Sequence, residues 1–283
     1  KKIDDLFYNS SIDYNFNDSL KKKNPSLSTL YFNTNDYFVH MDCFKYSPLI
    51  EMYQKISEFC QRAGTELDEQ GIRVIVISGA GEEAFAAGTD IGQFTSFETL
   101  QDGNDYEAQI ESVISSIETC RVPVIAALHG AVTGGGLVIA AAAHLRLASA
   151  DVKIGMPIAR TLGNCLAITN LRRLVALFGE ARVAHMILTA ELLSADQALA
   201  SGFVHDVLED RATMLARATA LARRLTTMAP LTIQSSLDGL RRLRHAAGCP
   251  DDSDLIAACY TSEDFAEGVA AFLEKRKPNW SGC

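Results

Sequence analysis

Val124–Leu147, VIAALHGAVTGGGLVIAAAAHLRL, decides how the chain is read. Its first five residues, Val124–Leu128, are an apolar run held between Pro123 and Gly130, the pattern of a buried strand. Three consecutive glycines follow, Gly134, Gly135 and Gly136. Leu137–Ala143 then carries no charge on any face, so it reads as a buried helix. A strand that turns through glycines into such a helix exposes backbone N–H groups that no intrahelical carbonyl can take. Those groups suit an anion or a developing oxyanion. The same glycines would also serve simply to pack the helix tightly against a sheet, and this stretch alone leaves both readings open.

Outward from it, the chain of 283 residues is 48% hydrophobic, enough for one large core or for one domain with a small C-terminal addition. A net charge of −9 and a pI near 5.2 argue against a nucleic-acid partner. Seven cysteines, an odd number with no C-x-x-C, argue for a reducing compartment and against a zinc site. No apolar run reaches membrane-spanning length, and the opening KKIDDLFYNSS does not read as a secretory signal, so the expected location is the cytoplasm.

The first sixty residues differ from the rest. No alanine precedes Ala63, and seven of the ten lysines lie at or before Lys55. Residues 1–28 are polar and without period, and read as a flexible or appended extension. Thr29–Phe32 and Tyr37–Met41 read as a β-hairpin, and Leu49–Arg62 as a helix begun by Ser47-Pro48. Arg73–Ser78 is a short β-branched strand of the kind buried on both faces. Gly79-Ala80-Gly81-Glu82-Glu83-Ala84 after it matches G-x-G-x-x-A. A dinucleotide site requires a helix at once, whereas Phe85–Asp90 holds another glycine and no helical period, so nicotinamide binding is disfavoured.

Tyr106–Cys120 reads as an amphipathic helix with Ile110, Val113, Ile114 and Ile117 inward. Leu145–Ala148 and Val152–Ile154 are short strands, and the repeated strand–helix–strand order predicts right-handed crossovers and a parallel sheet. Helices are expected at Leu166–Leu177, Ala181–Leu188, Ala195–Ala200, Arg211–Thr226, Leu231–His245 and Phe265–Lys275, the last begun by Ser262 with Glu263 and Asp264 in its first turn.

Ala84–Ile91 (AFAAGTDI), Val122–Gly136, Leu192–Val204 (LLSADQALASGFV) and Ser262–Trp280 (SEDFAEGVAAFLEKRKPNW) together resemble the crotonase superfamily, the enoyl-CoA hydratase/isomerase family. The resemblance covers roughly residues 71–280 and rests on four ordered motifs. It implies an α/β fold: a spiral of repeated ββα units over about residues 29–205, and a helical trimerisation region over 206–283. Trimers, often paired into hexamers, and acyl-CoA thioester substrates are implied with it, and no cofactor beyond the coenzyme A of the substrate. The family's shared device is an oxyanion hole of two backbone N–H groups. Here these fall on Thr89, after Gly88, and on Gly135. Ala87, Thr89, Asp90 and Ile91 resemble the adenine-binding loop, and Phe272 and Lys275 match residues that help close the acyl-CoA site in relatives. Without the resemblance, Lys275 reads as a solvated lysine favoured by a helix dipole.

The chain departs from the family where its hydratases carry two glutamates. Those positions hold Val138 and Ile158, and neither side chain can move a proton. Met41-Asp42-Cys43 stands where the usual N-R-P is expected. Polar or reactive candidates follow Pro157: Arg160, Asn164 and Cys165, the last near where some relatives place a catalytic carboxylate. Arg160 suits an acyl carboxylate or Asp90, and otherwise a surface or subunit contact. Cys165 suits a nucleophile only with a base beside it, and otherwise packs as a small core residue. His129 and His144 read as satisfied histidines at element ends. Three functions are compatible: an acyl-CoA enzyme with non-glutamate chemistry (decarboxylation, thioester hydrolysis or hydration of an unusual enoyl-CoA), a non-catalytic acyl-CoA-binding protein, and, disfavoured, a nucleotide-dependent oxidoreductase.

Overall fold

The computed structural model describes residues 30–33, 38–43, 60, 73–88, 91–226, 228, 230–245, 257 and 260–278. The expected extension at 1–28 and the helix at 49–62, Cys60 apart, lie outside them.

Two sheets lie among the described residues. The larger runs β1-β2-β3-β5-β7-β9, from β1 (Leu30–Asn33), β2 (Phe38–Cys43), β3 (Val74–Gly79), β5 (Val124–Leu128), β7 (Leu145–Ser149) and β9 (Asp206–Leu208). β1 pairs antiparallel with β2, as the hairpin reading expects. Every other pair is parallel, with Ile75 beside Val124 and Ile125 beside Leu145. The smaller sheet is β4 (Ala84–Ala86), β6 (Ala131–Thr133) and β8 (Lys153–Gly155), also parallel. Each turn of the chain adds one strand to the large sheet, one to the small sheet, and then a helix. β3–β4 lead to α1 (Leu100–Glu118), β5–β6 to α2 (Gly135–Ala142) and β7–β8 to α3 (Ile158–Thr161). This is the expected spiral of ββα units. The helical second half follows as α4 (Ile168–Phe178), α5 (Glu180–Thr189), α6 (Ala195–Ala200), α7 (Arg211–Thr226), α8 (Pro230–His245) and α9 (Glu263–Leu273). None of the described helices is long and apolar enough to cross a membrane.

β3 and β5 are buried along their whole lengths because both faces are covered. One face meets α7 through Met214, Ala218 and Ala222, and the other meets the main core, where α2 lies. Full burial of each Val, Ile or Leu there contributes about 1.5–3 kcal/mol. A third cluster gathers Phe94, Leu162, Tyr260, Phe265 and Val269 outside that core.

Two differences from the sequence reading have local causes. α1 begins at Leu100, not Tyr106, because Thr99 and Asp102 form a reciprocal capping box: the Asp102 carboxylate accepts the Thr99 N–H at 2.8 Å. α9 ends at Leu273, and Lys275 beyond it adopts a left-handed φ of 55°. As expected from the sequence, no helix opens after the G-x-G-x-x-A stretch: Ala84–Ala86, beginning on its last residue, forms strand β4. A side chain at Gly79 would overlap the Ala84 carbonyl and His129, so that glycine serves strand packing.

Candidate active site

α2 sets the geometry. Its N-cap, Gly134, has φ 55° and ψ −126°, a conformation glycine tolerates and other residues resist. Gly135 is the first helical residue, so its N–H is among those the helix cannot satisfy. Gly136 lies against β4 so closely that a side chain would collide with the Ala86 carbonyl. The three glycines therefore have separate tasks: turn, open N–H and close packing. Close packing of the helix against the sheet, one of the two readings of the glycine run, is met at Gly136.

The Gly88 backbone approaches this corner from the other side. A Cβ placed at Gly134 would lie 3.4 Å from the Gly88 Cα. Gly88 itself has φ 116°. Thr89 and Asp90, the residues after it, lie outside the described residues, as does any contact between Asp90 and Arg160.

At the far end of α2, Arg146 on β7 is buried and donates to the Ala140 carbonyl at 3.3 Å and the Ala143 carbonyl at 2.5 Å. It also donates to the Phe203 carbonyl at 2.6 Å, and its guanidinium lies 5.1 Å from the Phe203 ring centroid. Burial brings its pKa down to about 10, which leaves it charged at neutral pH. A buried cation on the last carbonyls complements the helix dipole and holds α2 in place.

The two glutamate positions are apolar in space as in sequence. Val138 is 3% exposed within the main core, and Ile158, at the start of α3, packs against that core half-buried. Arg160 is exposed on α3. Ile91 and Cys165 both pack against the third cluster. Ala87 is exposed, and Phe272 is half-exposed near the end of α9. His144 accepts the Val124 N–H through Nδ1 at 2.9 Å, and burial lowers its pKa to about 4. His129 is buried with Nε2 2.7 Å from the Gly81 carbonyl, and burial likewise lowers its pKa. Both are neutral at pH 7.

Sequence reasoning passed over two polar residues beside this region. Glu107, 8% exposed, accepts a 2.7 Å hydrogen bond from the hydroxyl of Tyr260, 6% exposed. Burial, and next the Glu107 charge, push the Tyr260 phenol far above its ordinary pKa, so it stays protonated. In the loop after α3, Asn164 Oδ1 is buried with no hydrogen-bond partner. The signal for Glu107 was its spacing: it stands three residues before Ile110, on the inward face of α1.

The comparisons with known proteins agree with this architecture. Residues 53–283 match the model of the enoyl-CoA hydratase/isomerase family. A Bacillus subtilis (strain 168) protein described as "Probable enoyl-CoA hydratase" is 35% identical over 217 residues, 76% of this chain and 83% of that protein. The Arabidopsis thaliana peroxisomal Delta(3,5)-Delta(2,4)-dienoyl-CoA isomerase is 30% identical over 241 residues, covering 78% of this chain and 84% of that one. A structure of methylmalonyl-CoA decarboxylase in complex with 2-nitronate-propionyl-CoA superposes with a TM-score of 0.79 at 26% identity, covering 91% and 99% of the two chains. The fold is that of a crotonase-type α/β protein. The chain belongs to the enoyl-CoA hydratase/isomerase family.

Proposed function

We propose that this protein is an acyl-CoA enzyme that polarises a thioester carbonyl between the Gly135 and Thr89 N–H groups and stabilises the enolate that forms. The opening of α2 carries the reading: an unsatisfied Gly135 N–H stands at the head of a buried, uncharged helix, and the Gly88 backbone lies against its N-cap. Thr89 comes from the family resemblance alone. Ala87, Thr89, Asp90 and Ile91 hold the adenine on this reading, and Phe272 and Lys275 close over the acyl-CoA.

With Val138 and Ile158 at the glutamate positions, the reaction has to form its enolate without a side-chain base there. Decarboxylation does so. The bond between the α-carbon and a carboxylate breaks, carbon dioxide leaves, and the electron pair passes to the α-carbon and the thioester oxygen. The enolate then takes a proton from solvent. Apolar walls also destabilise the departing carboxylate relative to the delocalised enolate. The structural likeness to a methylmalonyl-CoA decarboxylase favours the same class. The same pair of apolar residues supports a second reading, acyl-CoA binding without turnover. A panel of malonyl-type, crotonyl and saturated acyl-CoA thioesters separates the two.

Acyl-CoA should raise the melting temperature, and a malonyl-type thioester should lose carbon dioxide. A flat calorimetric titration at millimolar acyl-CoA would refute the reading. Gly135→Pro deletes the N–H at a position where proline suits a helix. Turnover should fall by about 10²–10³-fold while folding survives. Unchanged turnover would remove Gly135 from the mechanism.

We also propose that residues 206–283 assemble the chain into trimers or paired trimers. Leu240 and Leu243 on α8, and Phe272 and Leu273 on α9, are exposed in the single chain. Light scattering should give three or six times the 30.7 kDa monomer, and a monomer mass at micromolar concentration would refute the assembly.

A further inference from the structure

α9 ends in a conformation that glycine usually supplies. Beyond its cap, Glu274, the Arg276 N–H donates to the Ala271 carbonyl at 3.0 Å and the Lys275 N–H donates to the Phe272 carbonyl at 3.2 Å. This pair of bonds closes a helix by turning one residue into the left-handed region, here Lys275 with φ 55°. α6 ends with the same two bonds: the Phe203 N–H donates to the Ala198 carbonyl at 3.1 Å and the Gly202 N–H to the Leu199 carbonyl at 2.9 Å. The left-handed residue there is a glycine, Gly202, with φ 75°. A side chain in that region crowds the following carbonyl, a cost that glycine escapes. At α9 the chain keeps a lysine in the strained position.

Arg276, the next residue, holds this turn. Its Nη1 and Nη2 donate to the two oxygens of Glu267 at 2.6 and 2.7 Å, and its Nε donates to Glu274 at 2.6 Å. Nη1 also donates to the Lys277 carbonyl at 3.2 Å. One exposed ion pair adds little, but a fork on both oxygens of one carboxylate, joined to a second, fixes geometry as well. Glu267 and Glu274 are thereby taken up by Arg276. Among the described residues no carboxylate pairs with the exposed Lys275 ammonium. Backbone strain persists only where its surroundings hold it, and such positions gather at ligand clamps.

We propose that the Arg276 clamp sets Lys275 in its left-handed cap as a fixed, unpaired cation for a phosphate of coenzyme A, which makes Arg276, Glu267 and Glu274 positioning residues for the ligand. The inference rests on the acyl-CoA reading above, in which Phe272 and Lys275 close over the thioester. A backbone already locked leaves less to order when the ligand arrives. Half-exposed Phe272 lies on the same turn, and its carbonyl takes the Lys275 N–H, so the clamp places an apolar ring and a cation together. Without Arg276, Glu267 and Glu274 are released to pair with Lys275 in the ligand's place.

Calorimetric titration of the full chain with acetyl-CoA, together with thermal melts without ligand, tests this. Lys275→Gly relieves the strain and removes the cation. It should raise the melting temperature by about 2–4 °C and weaken acetyl-CoA binding by about tenfold. Lys275→Asn, which the left-handed region also admits without glycine's freedom, should weaken binding to a similar degree. Arg276→Met should weaken binding by about threefold or more, and by less than about 1.5-fold where Lys275 is already glycine, because it acts through that lysine. A clamp that served stability alone would move the melting temperature and leave affinity unchanged. Unaltered affinity in both lysine variants overturns the proposal and leaves the acyl-CoA reading intact. So does a Lys275→Gly protein that melts no higher than the unmodified one, and so does an Arg276→Met effect of equal size with and without Lys275. If the unmodified protein does not bind acetyl-CoA, the parent reading falls and this one with it.

Discussion

Crotonyl-CoA should stay essentially unhydrated in the presence of this protein. Each of the two carboxylates that family hydratases use would ordinarily supply about 10²–10⁴-fold by moving protons in the transition state. Here those positions carry Val138, 3% exposed in the main core, and Ile158, packed against it. An oxyanion hole polarises the carbonyl without them, but nothing at either position activates water. The loss is less than the product of the two factors, because groups acting as one unit are not additive. Activity near background is nevertheless expected, measured as the fall of the enoyl-thioester ultraviolet absorbance. Val138→Glu together with Ile158→Glu should recover part of the hydration. The change should also lower stability, since two carboxyl groups replace packed apolar side chains and must find partners or take up protons. Hydration by the unmodified protein at about 10–10³ s⁻¹, the common enzyme range, would mean that other residues do this work. Alanine at Asn164, Cys165 and Arg160 would then find them.

The fold was readable where one period dominated. β3 and β5 are continuous β-branched or apolar runs, and α7 spans the same sixteen residues in sequence and structure. Of the small sheet only β8 was readable, from the Val152–Ile154 run, and β4 and β6 were not. β4 and β6 are three residues each, too short for any alternation to show, and they form only because each pairs with the next. For the site, Gly135 was legible because a glycine run before an uncharged helix has few uses. Glu107 and Tyr260 were not, since they are 153 residues apart and meet only once α9 packs on the segment after β4. Arg146 was missed for a related reason. One cation between two leucines reads as a strand's solvent face, whereas both faces of β7 are covered and the guanidinium finds the end of α2 instead.

Replacing Arg173 by Met should cost about 3–5 kcal/mol, the usual consequence of removing one partner from a buried ion pair. Arg173 on α4 is 1% exposed and grips α1 through two carboxylates. Its Nη1 and Nη2 each lie 2.6 Å from a different oxygen of Glu111, and Nη2 also reaches Glu118 at 3.0 Å. Asn170 accepts at 2.8 Å from the same guanidinium. Glu118, its side chain 3% exposed, is bound on its other oxygen by Arg244 of α8 at 2.5 Å. The network ties α1, α4 and α8 together behind the core. Methionine keeps the length and apolar stem but leaves Glu118 buried with less positive charge. Burial pushes the Glu118 carboxyl up, and the hydrogen bond and charge of Arg173, with the charges of Arg244 and His245, outweigh that and hold it below its ordinary value. A depressed folded-state pKa means stability that is complete above the unfolded value, about 4.3, and is lost as pH falls through the lower folded value. The unmodified protein should therefore lose stability below about pH 4, and Arg173→Met should show a smaller loss there from a lower starting point. Urea unfolding at pH 7 and pH 3, at one fixed protein concentration, checks both. Adding Glu118→Gln to Arg173→Met should recover part of the deficit, because the stranded charge goes with it. A double variant no more stable than the single one would place the cost in lost packing instead.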